Sequence, residues 1–189
     1  AMDLLEGWCT RKKASVLIDL VLMMKPKIVV EIGVFGGKSL VPMAFAVKEN
    51  GSGIVYGIDP WQKERSMEGW DDANKDWWGG VDHDAIMTTL QEKIVQFSLQ
   101  DHIQLLRSTS EQALPIPNID ILHIDGNHSE ETSVFDVTKW VPLVKKGGFI
   151  VFDDEDWDTT KKAQALMEQY CIRVGEFKDS NVFGVWMKL

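Results

Sequence analysis

Two cysteines in 189 residues, Cys9 and Cys171, are too few and too far apart for a disulfide framework or a metal-ligand spacing. They are expected to be reduced thiols of a cytoplasmic protein. Basic residues are also in short supply: 20 lysines and arginines face 29 aspartates and glutamates, a formal net charge of −9. That field repels phosphate backbones, so nucleic acid is not the expected partner. A long hydrophobic run is missing as well. The most apolar stretch, "RKKASVLIDLVLMMKPK", starts basic like a secretory leader, but Asp19 interrupts it and no small-x-small cleavage site follows. Its eleven residues from Ala14 to Met24 are too short to cross a bilayer, so no membrane partner is expected. The stretch reads as a helix packed on the domain, with Pro26 after its end. Internal repeats and low-complexity segments are absent.

What remains is 44% hydrophobic and 26% charged, the composition of a globular chain. The length suits one domain, 1–189, with its first helix inside 1–25. After that helix, apolar β-branched runs alternate with helical spacing. "KIVVEIGV" (27–34), "GIVYGID" (53–59), "HIQLLRS" (102–108), "IDILHID" (119–125) and "GGFIVFDD" (147–154) read as buried strands. Helices are expected over 38–50, with Pro42 tolerable only near the first turn, over 84–99, after Ser129 as N-cap, and near 158–171. "IRVGEFK" and "NVFGVWMKL" are short strands close enough to pair as a hairpin, and the apolar edge of the second favours a homodimer. The fold class is α/β: a doubly wound, mostly parallel sheet with an antiparallel C-terminal hairpin.

One segment lacks either period. "PWQKERSMEGWDDANKDWWGGVDHD" (60–84) carries Trp61, Trp70, Trp77 and Trp78. A polar loop of that length is functional or disordered, and four tryptophans argue against disorder because ordering hides their area from water. A lid or substrate wall is expected, with a surface excursion or an oligomer contact as the alternative. Trp61, Trp77, Trp78 and, farther on, Trp157 are candidates for packing an acceptor.

Ligands of open α/β sheets sit beyond the carboxyl ends of the strands, near the point where strand order reverses. The first strand ends in "EIGVFGGKS", which supplies Glu31, Gly33, Gly37 and Ser39. Its glycines allow a tight turn and close backbone approach, and the next helix offers free N–H groups to an anion. The spacing is not that of a dinucleotide turn, and Ile32 stands where a phosphate-binding loop needs glycine. Asp59, ending the second strand, can accept from both hydroxyls of a ribose; otherwise it is a turn residue before Pro60. Ser110 and Glu111, after the third strand, could edge a purine.

This ordered series resembles the class I S-adenosylmethionine-dependent methyltransferases over roughly residues 27 to 189. The resemblance implies that Glu31, Gly33 and Gly37 shape the methionine pocket and that Ser39 holds its carboxylate. Asp59 would take the ribose, and Ser110 with Glu111 would flank the adenine.

"IDGNHSEE" and "GGFIVFDDEDW" end two neighbouring strands of that fold on Asp125, Asp153 and Asp154. Carboxylates about 4 Å apart repel by about 4 kcal/mol at an effective dielectric near 20, so protons or a cation must relieve them. A hard divalent ion suits oxygen ligands: Mg²⁺, with Mn²⁺ or Ca²⁺ as alternatives. The pattern is similar to the metal-dependent O-methyltransferases that include catechol and macrolide-sugar O-methyltransferases, closest to the sugar side. The resemblance implies a metal that grips adjacent hydroxyls of a small-molecule or sugar acceptor, and a base at His128. His128 is otherwise a solvated or capping histidine, and the acids a charged start to the next helix. His123, inside its strand, reads as a satisfied core residue. Two departures stand out. Asn127 replaces an aspartate that some relatives use as base, and only about 25 residues precede the first strand. A metal-independent transferase to nitrogen or a carboxylate, and a non-catalytic S-adenosylmethionine-binding module, remain open.

Overall fold

The computed structural model describes residues 1–68 and 72–189, with side chains from residue 75 onward in the second stretch, so Trp70 lies outside the described residues. The strands are β1 (Ile28–Ile32), β2 (Ile54–Asp59), β3 (Ile103–Arg107), β4 (Ile119–Ile124), β5 (Val144–Phe152), β6 (Cys171–Lys178) and β7 (Val182–Lys188). They form one sheet in the order β3-β2-β1-β4-β5-β7-β6. The first five are parallel, and β7 runs antiparallel to both β5 and β6. Strand order reverses between β1 and β4, which opens a crevice above their carboxyl ends.

Alternation along each strand feeds two cores. Val29, Val55, Ile121 and Val151 face one, with Leu17 and Val21 of α1 (Arg11–Met24), Val41 and Val47 of α2 (Leu40–Glu49), and Leu90 of α5 (His83–Gln96). Val30, Leu122 and Ile150 face the other, with Val137 and Trp140 of α6 (Glu130–Trp140) and Met167 of α7 (Lys161–Met167). Each fully buried aliphatic side chain contributes about 2 kcal/mol. Thr10 caps α1 by accepting from Lys13 N, and Ser129 caps α6 by accepting from Thr132 N. Among the described residues no helix is long and apolar enough to cross a membrane.

The structure departs from the sequence reading in three places. Segment 60–84 is not a plain loop: α3 (Lys63–Ser66) and α4 (Asp72–Gly80) lie within it. The acids after β5 do not start a helix; a turn follows them, and a 3-10 turn at Asp158–Thr160 leads into a short α7. The expected apolar edge at β7 is paired on both sides, so β6 is the outer strand and the reason for expecting a dimer there is gone.

Candidate active site

The crevice is a cleft of about 1160 Å³. That is at the upper end of ligand pockets, which run to about 1000 Å³. At its floor the chain leaves β1 through Gly33, with φ +83°, where a Cβ would lie 2.1 Å from the Asp125 carbonyl oxygen. Only glycine lets the ends of β1 and β4 come this close. Gly37, at φ +79°, does the same against Leu90.

Asp59 holds this turn. Its Oδ2 accepts from Val34 N and Phe35 N, both at 2.9 Å, and its Oδ1 from Trp61 N at 2.8 Å. Burial raises its pKa in spite of those bonds. Ser39 donates to Glu31 Oε1, and His123 Nδ1 lies 2.9 Å from the same oxygen. Both Glu31 and His123 are wholly buried. Burial pushes the Glu31 carboxyl up to about 8. The same burial, helped by the Lys13 charge, pushes the His123 ring down to about 3. The pair is therefore neutral near pH 7. His123 is only half satisfied, since its Nε2 has no hydrogen-bond partner among the described residues. Ser110 and Glu111 line the far end of the cleft, where Lys139 Nζ fixes their carbonyls at 2.8 and 2.7 Å.

The acids do gather at the rim, but not as one set of three. Among the described residues two clusters share Asp125: His123–Asp125–Asp153 and Asp125–His128–Asp154, each with ligand atoms within 4.8 Å of one another. Lys13, from the first turn of α1, reaches in between. Its Nζ lies 2.7 Å from Asp125 Oδ2 and also pairs with Asp153. The Lys13 side chain is 4% exposed. The sequence reading missed it, although its signal is there: Lys13 stands on the stripe Lys13, Leu17, Leu20, Val21 that α1 buries.

His128 is neither solvated nor a cap. Its Nε2 lies 2.8 Å from Asp154 Oδ2 and 3.8 Å from Asp125 Oδ1, and its ring meets Trp157 edge-on at 5.3 Å. Burial favours the neutral ring, but the hydrogen bond and charge of Asp154, with Asp125 behind them, outweigh it and raise the pKa. Asp154 takes φ 52° and is held by Asn181 Nδ2 at 3.1 Å. Asn127 is spent on the backbone: Nδ2 donates to Glu68 O and Oδ1 accepts from Ser129 N.

Trp77, Trp78 and Trp157 line the cleft. Trp61 does not: it is 1% exposed in the core, with Nε1 donating to Phe35 O at 2.9 Å. Its place on the wall is taken by Trp8, which stacks on Phe35 at 5.1 Å and meets Trp77 and Trp78 at 5.4 and 5.7 Å. Both cysteines are buried and free, and burial pushes the Cys9 thiol up to about 12.

A family model described as "Methyltransferase domain" matches residues 30–155, from β1 through the acids after β5. Over 73 residues the chain is 38% identical to an uncharacterized protein of Acanthamoeba polyphaga mimivirus. That match takes in 34% of this chain and 33% of the other, so the chain spans about a third of that relative's length. Among solved structures, the O-methyltransferase TomG of Streptomyces achromogenes, in complex with SAM, is similar with a TM-score of 0.66 at 12% identity, over 96% of this chain and 81% of that one. An O-methyltransferase of Bacillus cereus, in complex with SAH, gives 0.64 at 13% identity, over 99% and 85%. The SAH-bound methyltransferase PaMTH1 of Podospora anserina gives 0.69 at 13%, over 96% and 80%. At these identities the likeness is one of fold.

Proposed function

The chain belongs to the family of methyltransferase domains; on that premise we propose that it is an S-adenosylmethionine-dependent enzyme that methylates a hydroxyl oxygen of a small acceptor, a sugar or phenol with adjacent hydroxyls. The observation that carries this reading is His128, held by Asp154 at the rim of the cleft that the glycine turn floors. With Nε2–H donated to Asp154, the neutral ring keeps its lone pair on Nδ1. The acceptor oxygen attacks the methyl carbon of the sulfonium, the carbon–sulfur bond breaks, and S-adenosylhomocysteine leaves. The hydroxyl proton passes to His128, whose cationic form Asp154 and Asp125 stabilise. The donor is already electrophilic, so the protein's share is alignment and exclusion of water, for which Trp8, Trp77 and Trp78 wall the cleft.

The rim also fits a hard divalent cation such as Mg²⁺, Mn²⁺ or Ca²⁺. Asp125, Asp153 and Asp154 offer oxygen donors, and Asp153 Oδ1 is buried without a partner among the described residues. Bound by Asp125 together with Asp153 or Asp154, the ion would supply Lewis-acid chemistry that lowers the pKa of the acceptor hydroxyl. A second reading, transfer without a metal, is favoured by Lys13, which already quenches two of the three charges. The two buried free thiols suit a reducing compartment, and we place the enzyme in the cytoplasm.

The test is incubation of the protein and labelled S-adenosylmethionine with a metabolite extract, with and without chelator. Label in an alkali-stable ether is the expected product. Label in an amine or ester overturns transfer to a hydroxyl, and chelation that changes nothing selects the metal-free reading.

A further inference from the structure

One buried charge has no step in the chemistry above. Lys13 lines the cleft from the first turn of α1, and its side chain is 4% exposed. That end of α1 is tied down on both sides. Thr10 donates to the Asp179 carboxylate and Lys12 Nζ to the Lys178 carbonyl at 2.8 Å, where β6 turns into β7. On the other side Trp8 stacks on Phe35. The ammonium is therefore placed in the rim by the backbone that carries it.

An ammonium carries three N–H donors. Lys13 Nζ donates to Asp125 Oδ2 at 2.7 Å and to Asp153 Oδ2, and among the described residues it has no third partner. One donor is left for whatever enters the cleft. The carboxylate that takes the first donor also faces the base: Asp125 Oδ1 lies 3.8 Å from His128 Nε2. Cation and base thus stand on the two oxygens of one carboxylate, and both line the same cleft. A fixed positive charge in a site closed to water is worth most where negative charge develops during the reaction. Here that place is the acceptor oxygen as its proton leaves. The carboxylates at the rim share the sign of that charge and oppose it. Among the described residues no other lysine or arginine pairs with Asp125, Asp153 or Asp154 to offset them.

We propose that Lys13 is a catalytic residue, its third N–H donating to the acceptor oxygen as that oxygen gives its proton to His128. The ammonium keeps all three of its own protons. The oxygen forms its bond to the methyl carbon, the carbon–sulfur electron pair leaves with S-adenosylhomocysteine, and the acceptor's proton ends on His128. The inference rests on the reading of transfer to a hydroxyl and deepens its metal-free form: α1 supplies from within the chain a charge that stabilises the developing oxyanion.

The probe is nitrocatechol, which carries two adjacent hydroxyls and whose visible absorption reports when one of them ionises. It is titrated with pH on protein saturated with S-adenosylhomocysteine, in chelator. Wild type is expected to raise the ionisation constant of the bound probe about tenfold or more over the free probe, a modest share of the roughly 10²–10³ in rate that one donor to a developing anion is worth. Lys13→Met should lose that rise while binding S-adenosylhomocysteine within a few-fold of wild type. Lys13→Arg keeps a cation and should retain most of the rise, which a purely structural role for Lys13 does not require. His128→Ala should retain it too, because the charge responsible is still present. No rise in wild type, a rise unchanged in Lys13→Met, or a rise lost in His128→Ala overturns the role of Lys13. Where Lys13→Met does not fold, His128→Ala decides, since it removes the other side chain that can bring positive charge to Asp125 from the cleft. A rise that appears only when Mg²⁺ is added overturns Lys13 and leaves transfer to a hydroxyl standing. Protein that binds S-adenosylhomocysteine but takes up the probe under neither condition overturns the proposal and the adjacent-hydroxyl reading together.

Discussion

The Lys13 ammonium lies 2.7 Å from Asp125 Oδ2 and pairs in the same place with Asp153, so one buried cation is shared by the residues that leave two neighbouring strands. Acids drawn together at a sheet's rim need a counter-charge, and α1 supplies one from the chain itself. The burial of Lys13 follows from its place on an otherwise apolar stripe. Its charge is tolerable there because two carboxylates receive it.

A direct consequence concerns Lys13→Met. The side chain keeps its volume and loses its charge, which leaves Asp125 and Asp153 facing each other unpaired. Breaking a buried pair in this way destabilises by about 3–5 kcal/mol. A divalent ion should then fill the gap. Mn²⁺ is expected to raise the melting temperature of Lys13→Met well above its effect on wild type, and to bind the variant at least about tenfold more tightly by calorimetry. Equal Mn²⁺ affinity in the two proteins would mean that Lys13 and a metal do not compete.

His128 is tested by kinetics. His128→Ala should lower kcat by about 10²–10⁴-fold, the usual worth of a positioned general base. Binding of S-adenosylhomocysteine should stay within a few-fold, because the ring faces Asp154 and Trp157 rather than the glycine turn. Asp154→Asn should fall between the two, since it keeps the ring but not its charge partner. Single-turnover rates under saturating donor decide the matter. A His128→Ala enzyme within threefold of wild type would remove the histidine from the chemistry.

The strand ends were legible because a parallel sheet buried on both faces must read as apolar runs, and each run stops where its strand reaches the cleft. Joined to the strand neighbours that the resemblance implies, those ends bring Asp125, Asp153, Asp154 and His128 to one rim. The cation between them could not, because Lys13 and Asp125 are 112 residues apart and no local pattern joins them. What the sequence does print is a charged residue inside each of two apolar stripes, Lys13 in α1 and Asp136 in α6. A charge on a buried stripe implies a distant partner or a ligand. The tryptophan segment misled for another reason: α3 is four residues long, about one turn, too short to show a period. Strand order is likewise not written in any one strand, which is why β7 was taken for an edge.

The buried Glu31–His123 pair sets the pH dependence of stability. Glu31 has its pKa raised from 4.5 to about 8, so above 4.5 the folded state holds a proton that the unfolded chain has released. Its contribution to stability is lost as pH rises toward 8. His123, lowered from 6.5 to about 3, works the other way: the unfolded chain holds the extra proton below 6.5, and stability is lost as pH falls toward 3. The two effects oppose each other between 4.5 and 6.5, and of the pair only Glu31 acts between 6.5 and 8. Urea unfolding of wild type should weaken across that upper window, with Glu31 contributing no more than about 1.4 kcal/mol per pH unit, the slope of a single proton. In Glu31→Gln this decline should flatten. A variant that keeps the wild-type decline would place the titrating group elsewhere.

Variants of the aromatic wall are expected to separate acceptor binding from donor binding. Trp77 is half exposed at the mouth of the cleft, while Trp78 is packed against Phe35 at 5.6 Å and parallel to the His83 ring at 6.1 Å. Truncating an exposed ring removes contact area for a ligand but little of the fold, whereas truncating a packed one opens a cavity. Trp77→Ala should therefore raise the acceptor KM by about tenfold, worth roughly 1.4 kcal/mol, with S-adenosylhomocysteine affinity and melting temperature unchanged. Trp78→Ala should raise the acceptor KM too, but with about 3 kcal/mol of stability lost. The pairing of a KM measurement with a cofactor titration on each variant distinguishes wall from scaffold. If Trp77→Ala weakens the cofactor and spares the acceptor, the tryptophans close over the donor, and the acceptor must enter from the side of Trp157.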